Sequence, residues 1–467
     1  MTRTRLLLVG LLVVLVALGG PAVVDSWWTM LYDLGKVGPR QARGTVVLVV
    51  LDNVRADHTS LCGYSRPTTP NLEKLAEGGA HSCRAYAPGT WTLPSHASYF
   101  TGVPMLEHGA HDIPVPSEVE GTAPNAGGAD IPIRGLDGTL PTLAEQMAAR
   151  GYQAIIVSAN PVLGEGSGLL RGFSAGIVAP QFGVLVNDNA LRAVEQVLRE
   201  NLDPMGGPAF IVVNLAEAHQ PWDGVPAGHP WLPAREPLSF MGAGAEEPFA
   251  RFYSGDMAEG ERGAFLAQLA DVYDYGIWRA DRSLGAVLEL LRTRGWCVDD
   301  CRVVVTSDHG ELLGEHGLIE HGFFAWEPNA RVPVVVTGIG DIAMPEPFPG
   351  VLVHALALDG RIPDVVPAAT QAAFWHPHAA LSSRGADGGD RMAVYWSGAE
   401  KWVWQGDLLA RFDLAADPLE GVPLPIHGEP PPFGSLREVV KNYVATDSAD
   451  EDLRKQLEAA GYLDAYE

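Results

Sequence analysis

Three short apolar runs, each ending abruptly in polar residues, constrain this chain more than any other feature. They are TVVLVVLD (45–52), the FIVVNL of PAFIVVNLAEAHQP (208–221) and the VVV of CRVVVTSDHGE (301–311). None alternates with period two, so both faces of each strand must be buried, as in a parallel sheet covered by helices. Helical patterns lie between them. NLEKLAEGG follows Pro70 as a short helix with a glycine stop, and TLPTLAEQMAARGYQAIIVSANP reads helix, glycine turn, strand. YDYGIWRADRSLGAVLELLRTRG carries apolar residues at helical spacing as far as Gly295. The alternation predicts an α/β fold over residues 45–349: a doubly wound, mostly parallel sheet flanked by helices. From about Gly350 the texture changes. RMAVYWSGAEKWVWQGDLLARFDLAADPLEG alternates strand-like pieces with turns, which predicts a smaller C-terminal α+β subdomain (350–467) with an antiparallel sheet and a helix at 451–460.

Residues 1–24 stand apart. Basic MTRTR precedes LLLVGLLVVLVAL (6–18) and the small residues Gly19, Gly20 and Ala22. This reads as a signal peptide or, with apolar character continuing to Val24, as an uncleaved membrane anchor. Either way the body is exported, after a linker over 25–44. Export makes the four cysteines candidates for disulfides. Cys297 with Cys301 and Cys62 with Cys83 is one of the three pairings four cysteines allow, and buried free thiols are the alternative. A formal charge of −25 argues against a nucleic-acid or anionic-membrane binder. It leaves room for a small anionic substrate where a metal inverts the local field.

The polar clusters carry the chemistry. Asp52-Asn53 follows the first run, Glu217-Ala218-His219 the second, and Ser307-Asp308-His309-Gly310 the third. Ligands of open α/β sheets gather beyond the carboxyl ends of the strands, so these clusters can share one crevice. Asp52, Asp308, the amide oxygen of Asn53 and the imidazole of His309 form a plausible divalent-cation set. The oxygens suit Ca²⁺, Mg²⁺ or Mn²⁺, and His309 shifts the balance toward Mn²⁺ or Zn²⁺. Thr92 lies in GTWTLPSHASYFTG (89–102), where Pro94 marks a first helical turn and Gly102 its end. Its hydroxyl therefore falls at or just before a helix N-terminus, a setting that attracts oxyanions. By itself Thr92 reads as a helix cap. Beside a cation it reads as a nucleophile, because an aliphatic hydroxyl needs a metal or a base to be activated. Loops at 115–134 and 224–260 are the expected shapers of the pocket.

Residues 45–102, the stretch TSDHGELLGEHGLIEHGFFAWEPNARVPVVV and LLARFDLAADPLEG, taken in this order, resemble the sulfatase family of the alkaline phosphatase superfamily. The resemblance implies one divalent metal, Ca²⁺ in sulfatases, held by Asp52, Asp308 and His309 with Asn53 as fourth ligand. It puts Thr92 at the nucleophile position and His219 at the substrate-binding histidine. His321 falls where members carry a Lys or His that contacts the transferred group or assists leaving-group departure. Two departures from the family pattern stand out. Sulfatases carry Cys or Ser in C/S-x-P-x-R, converted to formylglycine, whereas this chain has Thr92-Leu93-Pro94-Ser95-His96. His96 thus replaces the Arg that steadies the nucleophile, leaving it a substrate-binding candidate. A threonine implies direct attack and a covalent threonine ester, as in related phosphodiesterases and phosphotransferases. The expectation is a metal-dependent hydrolase of phosphate mono- or diesters, acting on a small-molecule, glycan or lipid ester. The alternatives are a sulfate-ester hydrolase, a membrane-anchored phosphoryl-group transferase, and a catalytically inactive metal-stabilised binding protein.

Overall fold

A computed structural model describes residues 44–111, 133–203, 206–220, 222, 229–231, 246–297, 300–322, 324–374 and 391–442. The apolar N-terminal segment, the C-terminal helix expected at 451–460, and most of the two expected loops at 115–134 and 224–260 lie outside these residues.

Eight strands build the main sheet: β1 (Val46–Leu51), β2 (Gly79–Tyr86), β3 (Gln153–Ser158), β4 (Ala175–Val178), β5 (Ala209–Leu215), β6 (Arg302–Thr306), and, beyond a two-residue ribbon of β7 (Leu312–Leu313) with β8 (Ile319–Glu320), β9 (Arg331–Thr337) and β10 (Phe348–Pro349). Their order is β10-β2-β9-β6-β1-β5-β3-β4. β1 lies at the centre, parallel to both β5 and β6. The sheet is mostly parallel as expected; β9 is the exception, running antiparallel between β2 and β6.

β1 explains why the apolar runs are unbroken. Val47, Val49 and Leu51 face one core, while Val46, Leu48 and Val50 face the other. The first core is closed by α1 (Pro70–Ala76), α4 (Asp188–Asn201) and α5 (Glu259–Thr293). The second is closed by α2 (Thr92–Thr101), α3 (Leu143–Ala149) and α6 (Leu352–Asp359). α5 is 35 residues long, and the apolar pattern read from Tyr273 marks only its later part. Gly276 lets α5 press onto the loop after β5: a Cβ there would meet the Glu217 carbonyl oxygen at 2.6 Å and the Ala218 Cα at 2.9 Å. Disulfides join Cys62 to Cys83 and Cys297 to Cys301.

A second, antiparallel sheet of β11 (Ala369–Phe374), β12 (Arg391–Ser397), β13 (Glu400–Gln405) and β14 (Leu408–Asp413) forms the smaller C-terminal unit. One face packs Val394, Trp396, Val403 and Phe412 against Tyr86, Phe324 and Trp326, and the other holds α7 (Pro431–Lys441) through Phe433 and Val440. Lys401 is fully buried in this join. Its ammonium lies 2.6 Å from Glu420, 3.4 Å from Glu327 and 2.7 Å from the Ala325 carbonyl oxygen. Lys401→Met would leave two buried carboxylates without a counter-charge, so a loss of about 3–5 kcal/mol is expected in urea unfolding.

His108 sits beneath α2 with a fixed tautomer. The Ala110 N–H donates to Nδ1 at 3.0 Å, so Nε2–H is the donor to Ser98 Oγ, also at 3.0 Å. Burial lowers its pKa to about 3. The unfolded chain, with an ordinary histidine near 6.5, therefore binds more protons between the two values. Stability from this site is full above the unfolded pKa and drains as pH falls, by about 1.4 kcal/mol per unit inside that window. Melting curves taken from pH 7 downward should be less steep in pH for His108→Gln than for the unaltered chain.

Candidate active site

The carboxyl ends of β1 and β6 bring Asp52, Asp308 and His309 together. All three are buried, and one ligand atom from each lies within 4.8 Å of the other two. His309 Nε2 is 3.8 Å from Asp52 Oδ1 and 3.6 Å from Asp308 Oδ2. Every other polar atom of the trio is spent. Asp52 Oδ2 accepts from Asn160 Nδ2 at 2.7 Å and from Asn214 Nδ2 at 3.0 Å. Asp308 Oδ1 accepts from the backbone N–H of Asn53 and of His309, both at 3.1 Å. His309 Nδ1–H donates to the Gly310 carbonyl oxygen at 3.0 Å, leaving a bare lone pair on Nε2. Burial lowers the His309 pKa to about 3, which keeps the ring in its ligand form.

Asn53 adopts a left-handed φ of 64°, a conformation that asparagine tolerates better than most residues. Its Nδ2 donates to Glu311 Oε2, which orients the amide. Asp52 Oδ1, Asn53 Oδ1, Asp308 Oδ2 and His309 Nε2 are thus buried with no hydrogen-bond partner among the described residues. All four carry lone pairs and none is a donor. Such a set is costly to bury unless a cation sits among it, so the residues present fit a divalent metal.

Thr92 is the first residue of α2, not its cap. Trp91 holds the cap position in extended backbone, and no side chain caps the helix. The Thr92 hydroxyl is spent elsewhere: Oγ1 accepts from Asn160 Nδ2 at 2.8 Å, the same nitrogen that bonds Asp52. His96, one turn along, donates from Nδ1 to the Thr92 carbonyl oxygen at 3.0 Å and lies 3.5 Å from Asp308 Oδ2. Its ring packs edge-on against Tyr99 and Phe100 within α2.

Two further imidazoles crowd the same space. His321, just past β8, stacks on His309 with centroids 4.3 Å apart, and its Nδ1 lies 3.2 Å from Glu311 Oε2. His219 lies flat on Phe182 at 4.1 Å, donates from Nδ1 to the Gln220 carbonyl oxygen at 2.5 Å, and is 5.0 Å from His321 between centroids. In both rings, as in His96, Nε2 is buried without a partner among the described residues. Burial lowers the His321 pKa to about 3 and raises that of Glu311 to about 7. Glu217, from the same cluster as His219, turns away and accepts from the Asn187 N–H at 2.8 Å and from the Ser283 hydroxyl. The structure thus brings together the eight residues given site roles from the sequence, leaves Glu217 aside, and adds Asn160, Asn214, Glu311 and Phe182. Asn160 lies in SANP, which reads locally as a turn, while Glu311 follows the metal motif in DHGE and carries a usable signal.

A doubly wound sheet thus gathers two acids and an imidazole at its strand ends, linked through the Asn160 amide to a hydroxyl at a helix start. The sulfatase family model matches residues 44–347, and the chain belongs to the sulfatase family. Human arylsulfatase A is 32% identical over 108 residues, 23% of this chain and 18% of that protein. Choline-sulfatase of Rhizobium meliloti is 41% identical over 61 residues, 13% of this chain and 11% of that protein. The match therefore spans under a fifth of these relatives. Among solved structures, the phosphonate monoester hydrolase of Agrobacterium radiobacter superposes with a TM-score of 0.58 at 19% identity, covering 82% of this chain and 91% of that one. A protein solved in complex with its substrate D-glucosamine-2-N,6-O-disulfate gives 0.59 at 16% identity, covering 90% and 99%. At these identities the likeness is one of fold.

Proposed function

We propose that this protein is an exported, metal-dependent hydrolase of phosphate mono- or diesters that works through a covalent Thr92 ester. The observation that carries the reading is the shared amide of Asn160, which ties Thr92 Oγ1 to Asp52 at the edge of the candidate cation site. Asp52, Asp308, His309 and Asn53 would hold the metal. When bound, it would neutralise charge on the attacked centre and ease loss of the Thr92 proton to water. Thr92 Oγ1 then bonds to phosphorus as the bond from phosphorus to the leaving oxygen breaks. His219 and His321 offer bare Nε2 atoms beside this point. A protonated ring at this point can give its proton to the departing oxygen. Water next attacks phosphorus, Thr92 Oγ1 departs and regains a proton. Threonine argues against the formylglycine route, which starts from Cys or Ser. The two disulfides fit an exported protein. Among the described residues no helix is long and apolar enough to cross a membrane, and the 6–24 segment lies outside them.

The test is a side-by-side assay of nitrophenyl phosphate, bis(nitrophenyl) phosphate and nitrophenyl sulfate with Mn²⁺, with and without an added alcohol. Faster turnover of a phosphate ester is expected. Preference for the sulfate would overturn the phosphate assignment, product transfer to the alcohol would point to a transferase, and no turnover with metal bound would favour the binding protein.

A further inference from the structure

We infer that Asn160 aims and activates the Thr92 hydroxyl, and that this role is separable from building the cation site. The inference rests on Thr92 being the nucleophile, as proposed above. Asn160 is fully buried in the turn after β3 and cannot rotate freely. Its backbone N–H donates to Ser158 Oγ at 3.0 Å, and Ser158 Oγ donates back to its carbonyl oxygen at 2.9 Å. Its side-chain Oδ1 accepts from the Val162 N–H at 2.9 Å, capping the single turn Pro161–Leu163. With Oδ1 held by a donor, the amide cannot flip, and both Nδ2 hydrogens are committed: one to Asp52 Oδ2 at 2.7 Å, the other to Thr92 Oγ1 at 2.8 Å.

The two bonds differ in what depends on them. Asp52 Oδ2 has a second donor in Asn214 at 3.0 Å, and its carboxylate stays held without Asn160. Among the described residues, Asn160 is the sole hydrogen-bond partner of Thr92 Oγ1. A donor on Oγ1 occupies one lone pair and turns the hydroxyl proton and the other lone pair elsewhere. As the proton is lost, the bond becomes charge-assisted and strengthens, which favours the attacking form over the resting hydroxyl. Because the amide is neutral, it does this without adding charge that would compete for the metal.

Asn160→Asp separates the roles. It keeps the shape and the Oδ1 acceptor for Val162, but its second oxygen replaces both donor hydrogens with at most one proton, which the Asp52 carboxylate beside it claims, so none is left to donate to Thr92. Asn160→Ala removes the group outright. Full-length protein, both variants and Thr92→Ala would be compared for Mn²⁺ affinity by calorimetry, melting temperature, kcat and KM on bis(nitrophenyl) phosphate, and covalent occupancy of Thr92 by quenched mass spectrometry. The expectation for Asn160→Asp is Mn²⁺ affinity no weaker than that of the unaltered chain, with kcat lower by about 10²-fold to 10³-fold and KM little changed. Asn160→Ala should follow in kcat. Turnover near that of the unaltered chain in Asn160→Asp would overturn the inference, as would a fall in turnover matched by an equal fall in Mn²⁺ affinity. Retained turnover in Thr92→Ala would instead overturn the nucleophile reading beneath it. An inactive Thr92→Ala beside an active Asn160→Asp would overturn only the role of Asn160.

Discussion

Thr92→Ala is expected to lower kcat by roughly 10⁴-fold to 10⁶-fold, the range seen when a covalent nucleophile is removed from a preorganised site. The fold should survive. Thr92 is fully buried, but alanine fits the first position of α2, which draws no side-chain cap from it. The structural cost is one Asn160 hydrogen left without its acceptor, about 1–3 kcal/mol. Thr92→Ser restores an oxygen within reach of Asn160 and should recover part of the rate. If Thr92 merely packed the helix start, alanine and serine would behave alike and both would retain turnover. Steady-state kinetics of the two variants beside melting curves distinguishes these outcomes.

Removing the cation should be nearly as damaging, and for a reason the hydrogen bonds spell out. Asp308 Oδ1 is fixed by two backbone N–H donors, so Oδ2 is the atom left for the metal. In Asp308→Asn those same donors hold the amide oxygen and turn its NH₂ toward the site. A donor then points where a cation must sit. Outer partners of metal ligands typically contribute 10-fold to 100-fold in affinity, so loss of a ligand itself should cost more than about 100-fold. Turnover should fall with it at fixed metal concentration. Chelation of the unaltered protein should lower the melting temperature, because a metal at 100 times its Kd stabilises the native state by about 2.7 kcal/mol. Calorimetric titration of Mn²⁺ into both proteins, paired with melting curves, measures both effects. An unchanged affinity in Asp308→Asn would place the metal elsewhere or nowhere.

What was legible in the sequence follows from how local each signal is. β1 could be read because every one of its six residues is apolar, a pattern that requires two covered faces and hence helices on both sides. Asp52, Asp308 and His309 could be read because each follows the end of such a run. Thr92 showed its position through Pro94 and Gly102, but whether it caps α2 was decided by a partner 68 residues away. The same distance problem hid Asn160 and Asn214. Asn160 looks like a turn residue before proline, and its two acceptors lie on β1's end and on α2. Asn214 sits inside an apolar strand, where an amide is odd but gives no hint of its acceptor, Asp52. The antiparallel direction of β9 is illegible for a related reason: a strand buried on both faces carries no mark of its direction.

The central claim is that the Thr92 oxygen faces a cation held by Asp52, Asp308 and His309 and attacks a tetrahedral ester centre. Diffraction from crystals grown with Mn²⁺ and vanadate tests it most directly. The account predicts metal density ligated by those three side chains and Asn53, and vanadium bonded to Thr92 Oγ1. Vanadate bound with the Thr92 side chain turned away from it, or metal held by other residues, would contradict it.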